Sequence, residues 1–454
     1  MKFEPLGKLI PDYSRFFTVD EHNERSFELV KKYPKTVRIS HEGTSRAGDK
    51  IPVLEIGNGS RHALLFGCPH PNEPIGAMML DTLCNLLAGE EDLLKELDYT
   101  WHIVKVIDVD GTRLNEGWFD KKDSIESYAE NFYRPPGYKQ VEWTFPVQYK
   151  TLNFQSPLPE TKLLMELIET YKPDFMYSLH NSGFGGAYYY ISGDSPELYP
   201  HLHSIPKKFG VPLSLGEPEV PFFEHLAPAI FKLFSSKELY DHLAKHTDKD
   251  PAQILRMGAG SDEYAERICK TYSLVTEVPY FYDSRVEDQT ELEITRRESL
   301  LANLKRQKDY LSLLESIMVK AGDFLDKDSP FFFPINEVLE TGAESLKADE
   351  NWIQSDEKLN RPATAAEDFD NQNVSEFYRS LSLGMLRRLM QASREKFGSE
   401  DKILQASKEA DLAFSNQIKL LNNNLNYKAI PIKNLVGIQL LTGLYTAKYV
   451  QENR

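Results

Sequence analysis

The sequence predicts an α/β fold: a mixed, mostly parallel sheet flanked by helices, with an additional helical C-terminal unit. Two observations predict it. Short apolar runs alternate with helical patterns through the first 290 or so residues, the order that builds a helix-flanked parallel sheet. From residue 291 onward the strand-like runs stop and only helical periodicity continues.

In chain order, a polar helical lead-in covers residues 24–32, followed by strand patterns at 36–40 and 51–56. The apolar run 62–67 ends at Cys68-Pro69-His70-Pro71, and a helix is expected from Pro74 to about residue 87, since proline suits the first helical position. Residues 101–107 read as a buried strand. Residues 111–157, rich in charge, aromatics and proline, read as a long functional loop region. Pro159-Glu160-Thr161 opens a helix to about residue 171, with Leu163, Leu164, Leu167 and Ile168 on one face. Strands follow at 174–179, 187–192 and 273–278. Residues 291–322 form one long amphipathic pattern, then a break at 326–334 and helical patterns near 364–392, 400–421 and 432–451. The polar stretch 348–370 reads as a linker. The expected division is a catalytic domain at 1–325 and a helical domain at 326–454.

Composition narrows the function. With 53 basic and 69 acidic residues, the net charge of −16 argues against nonspecific binding to nucleic acid or an anionic membrane. No apolar run is long enough to span a bilayer, and no signal-peptide core is present, so a cytoplasmic protein is expected. Three cysteines without a CxxC pair support neither a disulfide framework nor a cysteine zinc site.

Four residues sit at the ends of strand patterns: His70 and Glu73 after 62–67, His180 after 174–179, and Glu277 near the end of 273–278. Ligands of open α/β sheets bind beyond the carboxyl ends of strands, where residues distant in sequence converge. Two imidazoles and one carboxylate are the donor set of a catalytic zinc, with the fourth position left for water. A carboxylate beside that set can take the water's proton and pass it to a leaving amine, a role that fits Glu277. With eleven histidines and abundant glutamate, HxxE alone carries little; the strand-end position of all four residues carries more. Asn181, in the glycine-rich run after His180, is expected to line the site and contact substrate. HExxH, GxSxG and P-loop motifs are absent from the sequence.

In order and approximate spacing over residues 40–285, these segments resemble the zinc carboxypeptidases of the M14, carboxypeptidase A-like type. Gly43-Thr44-Ser45 and Ile51-Pro52-Val53 resemble that family's first strands, and His70-Pro71-Asn72-Glu73 its HxxE. Asp108-Val109-Asp110-Gly111 is similar to its Asn-Pro-Asp-Gly turn, and Pro157-Leu158-Pro159-Glu160-Thr161 to its Ser-Glu-Pro-Glu-Thr helix start. Ser178-Leu179-His180 resembles the third-ligand segment, and Ser273 to Pro279 the strand with the catalytic glutamate. The resemblance implies one zinc ion held by His70, Glu73 and His180, with Glu277 as general base and acid. It further implies Arg134 as the grip on a substrate carboxylate and Arg113 as the oxyanion partner. Tyr264 and Tyr282 are candidates for the family's mobile tyrosine.

The expected activity is zinc-dependent hydrolysis of an amide bond in a small peptide or peptide-like substrate with a free carboxylate. An N-acyl amino-acid deacylase of the aspartoacylase and succinylglutamate-desuccinylase type, and a non-catalytic binding module, are the alternatives. The C-terminal helices are expected either to cover the cleft or to form a homo-oligomer interface.

Overall fold

The computed structural model describes residues 3–398 and 400–454. Its centre is a nine-stranded sheet: β1 (Val37–Thr44), β2 (Lys50–Ile56), β3 (Arg61–Gly67), β4 (Tyr99–Val104), β5 (Phe175–His180), β6 (Tyr188–Ile191), β7 (His225–Ala227), β8 (Ile230–Lys232) and β9 (Tyr272–Glu277), in the spatial order β1-β2-β4-β3-β5-β9-β6-β8-β7. The central strands β4, β3, β5 and β9 run parallel; outward of them the pairs are antiparallel except β6 with β8, which is parallel. This is the expected mixed, helix-flanked sheet.

Alternation along the strands sets two packed faces. Ala63, Leu65, Phe175, Tyr177, Leu179 and Leu274 join one hydrophobic cluster. Leu64, Phe66 and Met176 join the other. The first face is covered by α1 (Val19–Lys32) and α2 (Ile75–Gly89); the second by α3 (Pro159–Tyr171), whose Leu163, Leu164, Leu167 and Ile168 are the buried stripe read from the sequence. Helix α1 starts earlier than its apolar pattern, at the capping box of Thr18 and Glu21.

The C-terminal part contains α4 (Arg296–Ala321), α5 (Phe332–Ser355), α6 (Ser375–Phe397), α7 (Asp401–Asn424) and α8 (Ile432–Asn453). Two expectations change here. Residues 291–322 are not one helix: Glu291–Thr295 is a strand paired with Pro362–Thr364, and the Thr295–Glu298 capping box starts α4. Residues 348–370 are not a linker. Helix α5 runs to Ser355, and a second capping box, Thr364–Glu367, opens the helix Ala365–Phe369. Few residues of α5 are buried (Pro334, Ile335, Ala348 and Ile353), so its apolar period is faint in the sequence. The long loop 111–157 also contains the helix Ile125–Asn131 and a hairpin of Val147–Tyr149 with Leu152–Phe154.

Helix α8 packs on the sheet itself. Its Ala447 carbonyl accepts from the Tyr99 hydroxyl at 2.9 Å, and its Gln439 carbonyl accepts from the Tyr177 hydroxyl at 3.1 Å. No helix among the described residues is long and apolar enough to cross a membrane.

Candidate active site

The turn between β3 and α2 carries His70 and Glu73. Cys68 takes a left-handed φ of 53°, which reverses the chain, and the Glu73 N–H donates to the His70 carbonyl at 3.1 Å. Gly76 lets α2 press against β5: a Cβ there would lie 2.6 Å from the Leu179 Cβ. That contact brings the turn beside His180, the last residue of β5. Register does the rest. His180 pairs with Glu277, and Glu277 pairs with Tyr188 on the next strand, so the three side chains share one face.

Three residues, Glu73 with both of its oxygens, face one point. The His70 Nδ1 lies 3.2 Å from Glu73 Oε1 and 3.2 Å from His180 Nδ1, and His180 Nδ1 lies 3.1 Å from Glu73 Oε2. A tetrahedral zinc with ligands at about 2.0–2.1 Å holds its donors about 3.3 Å apart, so the triangle has the size of one face of that shell. All three residues are buried, and they are the His/Cys/Asp/Glu group found that could hold a metal ion among the described residues. A two-histidine, one-carboxylate set with no fourth protein ligand among the described residues is the open arrangement of a catalytic zinc site, so donor chemistry and spacing both fit the ion.

The surroundings orient the triangle. The Ser178 hydroxyl lies 2.8 Å from His180 Nε2 and donates to Glu142 at 3.1 Å, which fixes the ring with Nδ1 toward the cluster. Gln439 of α8 donates to the His180 carbonyl at 2.8 Å. Arg134 reaches in from the 131–140 loop, with Nη1 3.2 Å from Glu73 Oε1 and Nη2 2.8 Å from His70 Nδ1. Glu277 Oε1 lies 4.0 Å from His180 Nδ1, and its buried Oε2 has no hydrogen-bond partner among the described residues.

Electrostatics separate the two imidazoles. Burial, then the facing Arg134, pushes His70 down to about 3. Burial also opposes charge on His180, but the hydrogen bond and charge of Glu73 outweigh it and raise that ring to about 9. Burial and the neighbouring Glu73 push Glu277 well above the ordinary carboxylate range.

The structure therefore brings together His70, Glu73, His180, Glu277 and Arg134. Asn181 lines the same cavity, but its amide is engaged with the backbone: its Oδ1 accepts from the Ile75 N–H and its Nδ2 faces the Val278 carbonyl at 3.4 Å. Arg113 is not brought there. Its guanidinium is held by Asp20 of α1 at 2.7 Å and by Asp49 at 3.1 Å, so the oxyanion role is not carried forward for it. Tyr264 donates to Glu169, and Tyr282 sits on a short strand beside Lys428; the tyrosines that line the cavity are Tyr128, Tyr188, Tyr190 and Tyr378. The strand expected at 187–192 contains that signal, because Tyr188 and Tyr190 share the face of Glu277 while Tyr189 points away and donates to the Leu202 carbonyl.

The remaining motif fragments meet away from the donor triangle. Arg46 joins them, donating to Asp108 at 2.6 Å and to Glu160 at 3.0 Å, while the Ser45 hydroxyl donates to Asp110 at 2.6 Å. They bolt the β1–β2 turn to the loop after β4 and to the start of α3.

Residues 25–276, more than half of the chain, match the family described as zinc carboxypeptidase, Peptidase_M14. Among solved structures, carboxypeptidase A from Helicoverpa armigera is 14% identical with a TM-score of 0.39, covering 75% of each chain. A metallo-carboxypeptidase from Burkholderia cenocepacia is 15% identical with a TM-score of 0.33, covering 58% of this chain and 60% of that one. Bovine thrombin-activatable fibrinolysis inhibitor, in complex with tick carboxypeptidase inhibitor, is 14% identical with a TM-score of 0.38, covering 75% of this chain and 97% of that one. No curated protein matches. The matched segment contains His70, Glu73 and His180 and stops one residue short of Glu277. The chain belongs to the zinc carboxypeptidase family and is a hydrolase of that family.

Proposed function

We propose that this protein hydrolyses an amide bond in a small peptide or peptide-like substrate carrying a free carboxylate, with one zinc ion held by His70, Glu73 and His180. The observation that carries the proposal is the donor triangle with an acid and a guanidinium against it. When bound, zinc supplies Lewis acidity and a water whose pKa falls toward about 7.

The chain's own groups supply the rest. Glu277, with one unpartnered carboxylate oxygen, takes the proton of the attacking water and delivers it to the departing nitrogen. Arg134 presents a planar fork that suits a substrate carboxylate. Ser178 and Glu142 keep His180 in the tautomer that aims Nδ1 at the ion. The proposed organisation is a catalytic unit at residues 1–325 completed by a helical unit at 326–454. A cytoplasmic setting belongs to the same reading, supported by three unpaired cysteines, two of them buried.

The test is metal analysis of purified protein, followed by turnover measurements on short peptides and on N-acyl amino acids, before and after chelation. One zinc per chain and chelator-sensitive release of a C-terminal residue support the proposal. Turnover confined to acyl amino acids would move the assignment to the deacylase alternative.

A further inference from the structure

The cavity at the donor triangle has a volume of ≈ 650 Å³, within the range of clefts that enclose a small ligand. One side is the sheet face, with Val275, Glu277, Tyr188 and Tyr190. The rest of the lining includes the helices beyond residue 295: Asn303 and Gln307 of α4, Trp352 of α5, Asn371 of the π-helix Asp370–Val374, and Tyr378 of α6.

We infer that these helices form a fixed outer wall that limits the enzyme to short peptides, excluding long or folded chains. The inference rests on the proposed function and names the size class of its substrate.

Three contacts hold the wall. The loop after His180 is pressed on α6: a Cβ at Gly183 would lie 2.5 Å from the Phe377 ring, and the Gly183 N–H faces the Tyr378 hydroxyl at 3.3 Å. The 214–219 loop is tied by Asp370, which accepts from the Glu217 N–H at 2.8 Å, and by Asn371, which donates to the Glu217 carboxylate at 3.1 Å. Arg296 of α4 pairs with the same Glu217 carboxylate, and both side chains are mostly buried. The third is Arg388 of α6, which donates to the carbonyls of Leu114, Asn131 and Phe132, just before Arg134. A wall joined to the loops that carry the site moves with them; it is not a flap on a free hinge. A peptide too long for the cavity meets helix surface, and a steric clash of this kind discriminates without any attractive contact.

The experiment uses the full zinc-loaded chain and a peptide series from dipeptide to octapeptide with the same two C-terminal residues. The expected kcat/KM falls by about 50-fold or more from the tripeptide to the octapeptide. In Tyr378→Ala, and separately in Gln307→Ala, the octapeptide-to-tripeptide ratio is expected to rise by about tenfold. Gln307 is on the partly exposed face of a long helix, so its variant keeps the test available if Tyr378→Ala does not fold. Equal kcat/KM along the series in the wild type overturns the inference, as does a length limit unchanged in every variant that folds. If the wild type cleaves no peptide of any length, the proposed function itself fails, an outcome distinct from both.

Discussion

The two sides of the cavity are built by different physical means. On the sheet side, His180, Glu277 and Tyr188 stand in register across three adjacent strands, and the ladder of backbone hydrogen bonds fixes their spacing. On the helical side, Asn371 and Tyr378 project from segments tied by side-chain contacts to three loops outside the C-terminal helices. A ladder positions atoms to fractions of an ångström, which proton transfer and metal coordination need. Side-chain ties position a surface, which is sufficient to exclude a substrate. Chemistry is therefore expected to reside on the strand ends and selection on the helices, and substitutions on the two sides should fail differently.

The largest effect is expected for His180→Ala. It removes one corner of the triangle, so zinc content should fall well below one per chain and turnover by about 10⁴-fold or more, because the Lewis acidity and the activated water are lost with the ion. A variant that keeps both metal and activity would break the comparison at its strong end. Glu277→Gln comes next. It preserves the shape and is expected to leave zinc content at wild-type level while kcat falls about 10³-fold. Metal analysis beside steady-state kinetics separates the two. Retained turnover in Glu277→Gln would remove that residue from the mechanism.

The strand-end residues are legible in the sequence because each follows or closes an apolar run, and such a run has few ways to fold. His70, Glu73, His180 and Glu277 were read that way, and the helix-flanked sheet with them. Arg134 is reached only through the resemblance of its segment to a family segment, and the same ground points to Arg113, which the fold holds away from the site. An arginine's long stem reaches whichever carboxylates the fold delivers, and for Arg113 these are Asp20 and Asp49, far apart in sequence from it. The cavity wall was illegible for a further reason. Helix α5 buries little, so its period is weak, and the capping boxes at Thr295 and Thr364 sit inside stretches that read as continuous helix and as linker. The buried ties of Glu142 to Ser178 and of Gln439 to the His180 carbonyl have no local pattern at all, since each joins segments that meet only in the folded chain.

Arg134→Met tests the border between the two sides. It keeps the stem and removes the fork beside Glu73 and His70, so kcat/KM is expected to fall about 10²-fold with zinc retained. An equal loss on a substrate lacking the free carboxylate would reassign Arg134 from substrate grip to support of the metal ligands.

The smallest effect, and the sharpest discriminator, is Arg388→Met. Among the described residues, Arg388 makes no hydrogen bond or ion pair with the donor triangle. Its Nη1 lies 3.0, 2.8 and 3.2 Å from the carbonyl oxygens of Leu114, Asn131 and Phe132, its guanidinium lies over the Phe331 ring, and burial lowers its own pKa to about 10. Removing the donors leaves carbonyls short of partners, at a cost of about 1–3 kcal/mol in stability. The loop they belong to carries Arg134, so KM should rise about fivefold to tenfold while kcat changes less, and Arg388→Lys should recover part of the loss. Coupling decides the cause. If Arg388 acts by positioning Arg134, the second substitution adds nothing to kcat/KM once Arg134→Met is in place, because the group it positions is gone. If the losses multiply instead, Arg388 only holds the fold together, and the helical unit would contribute a wall to this active site without helping to aim any of its groups.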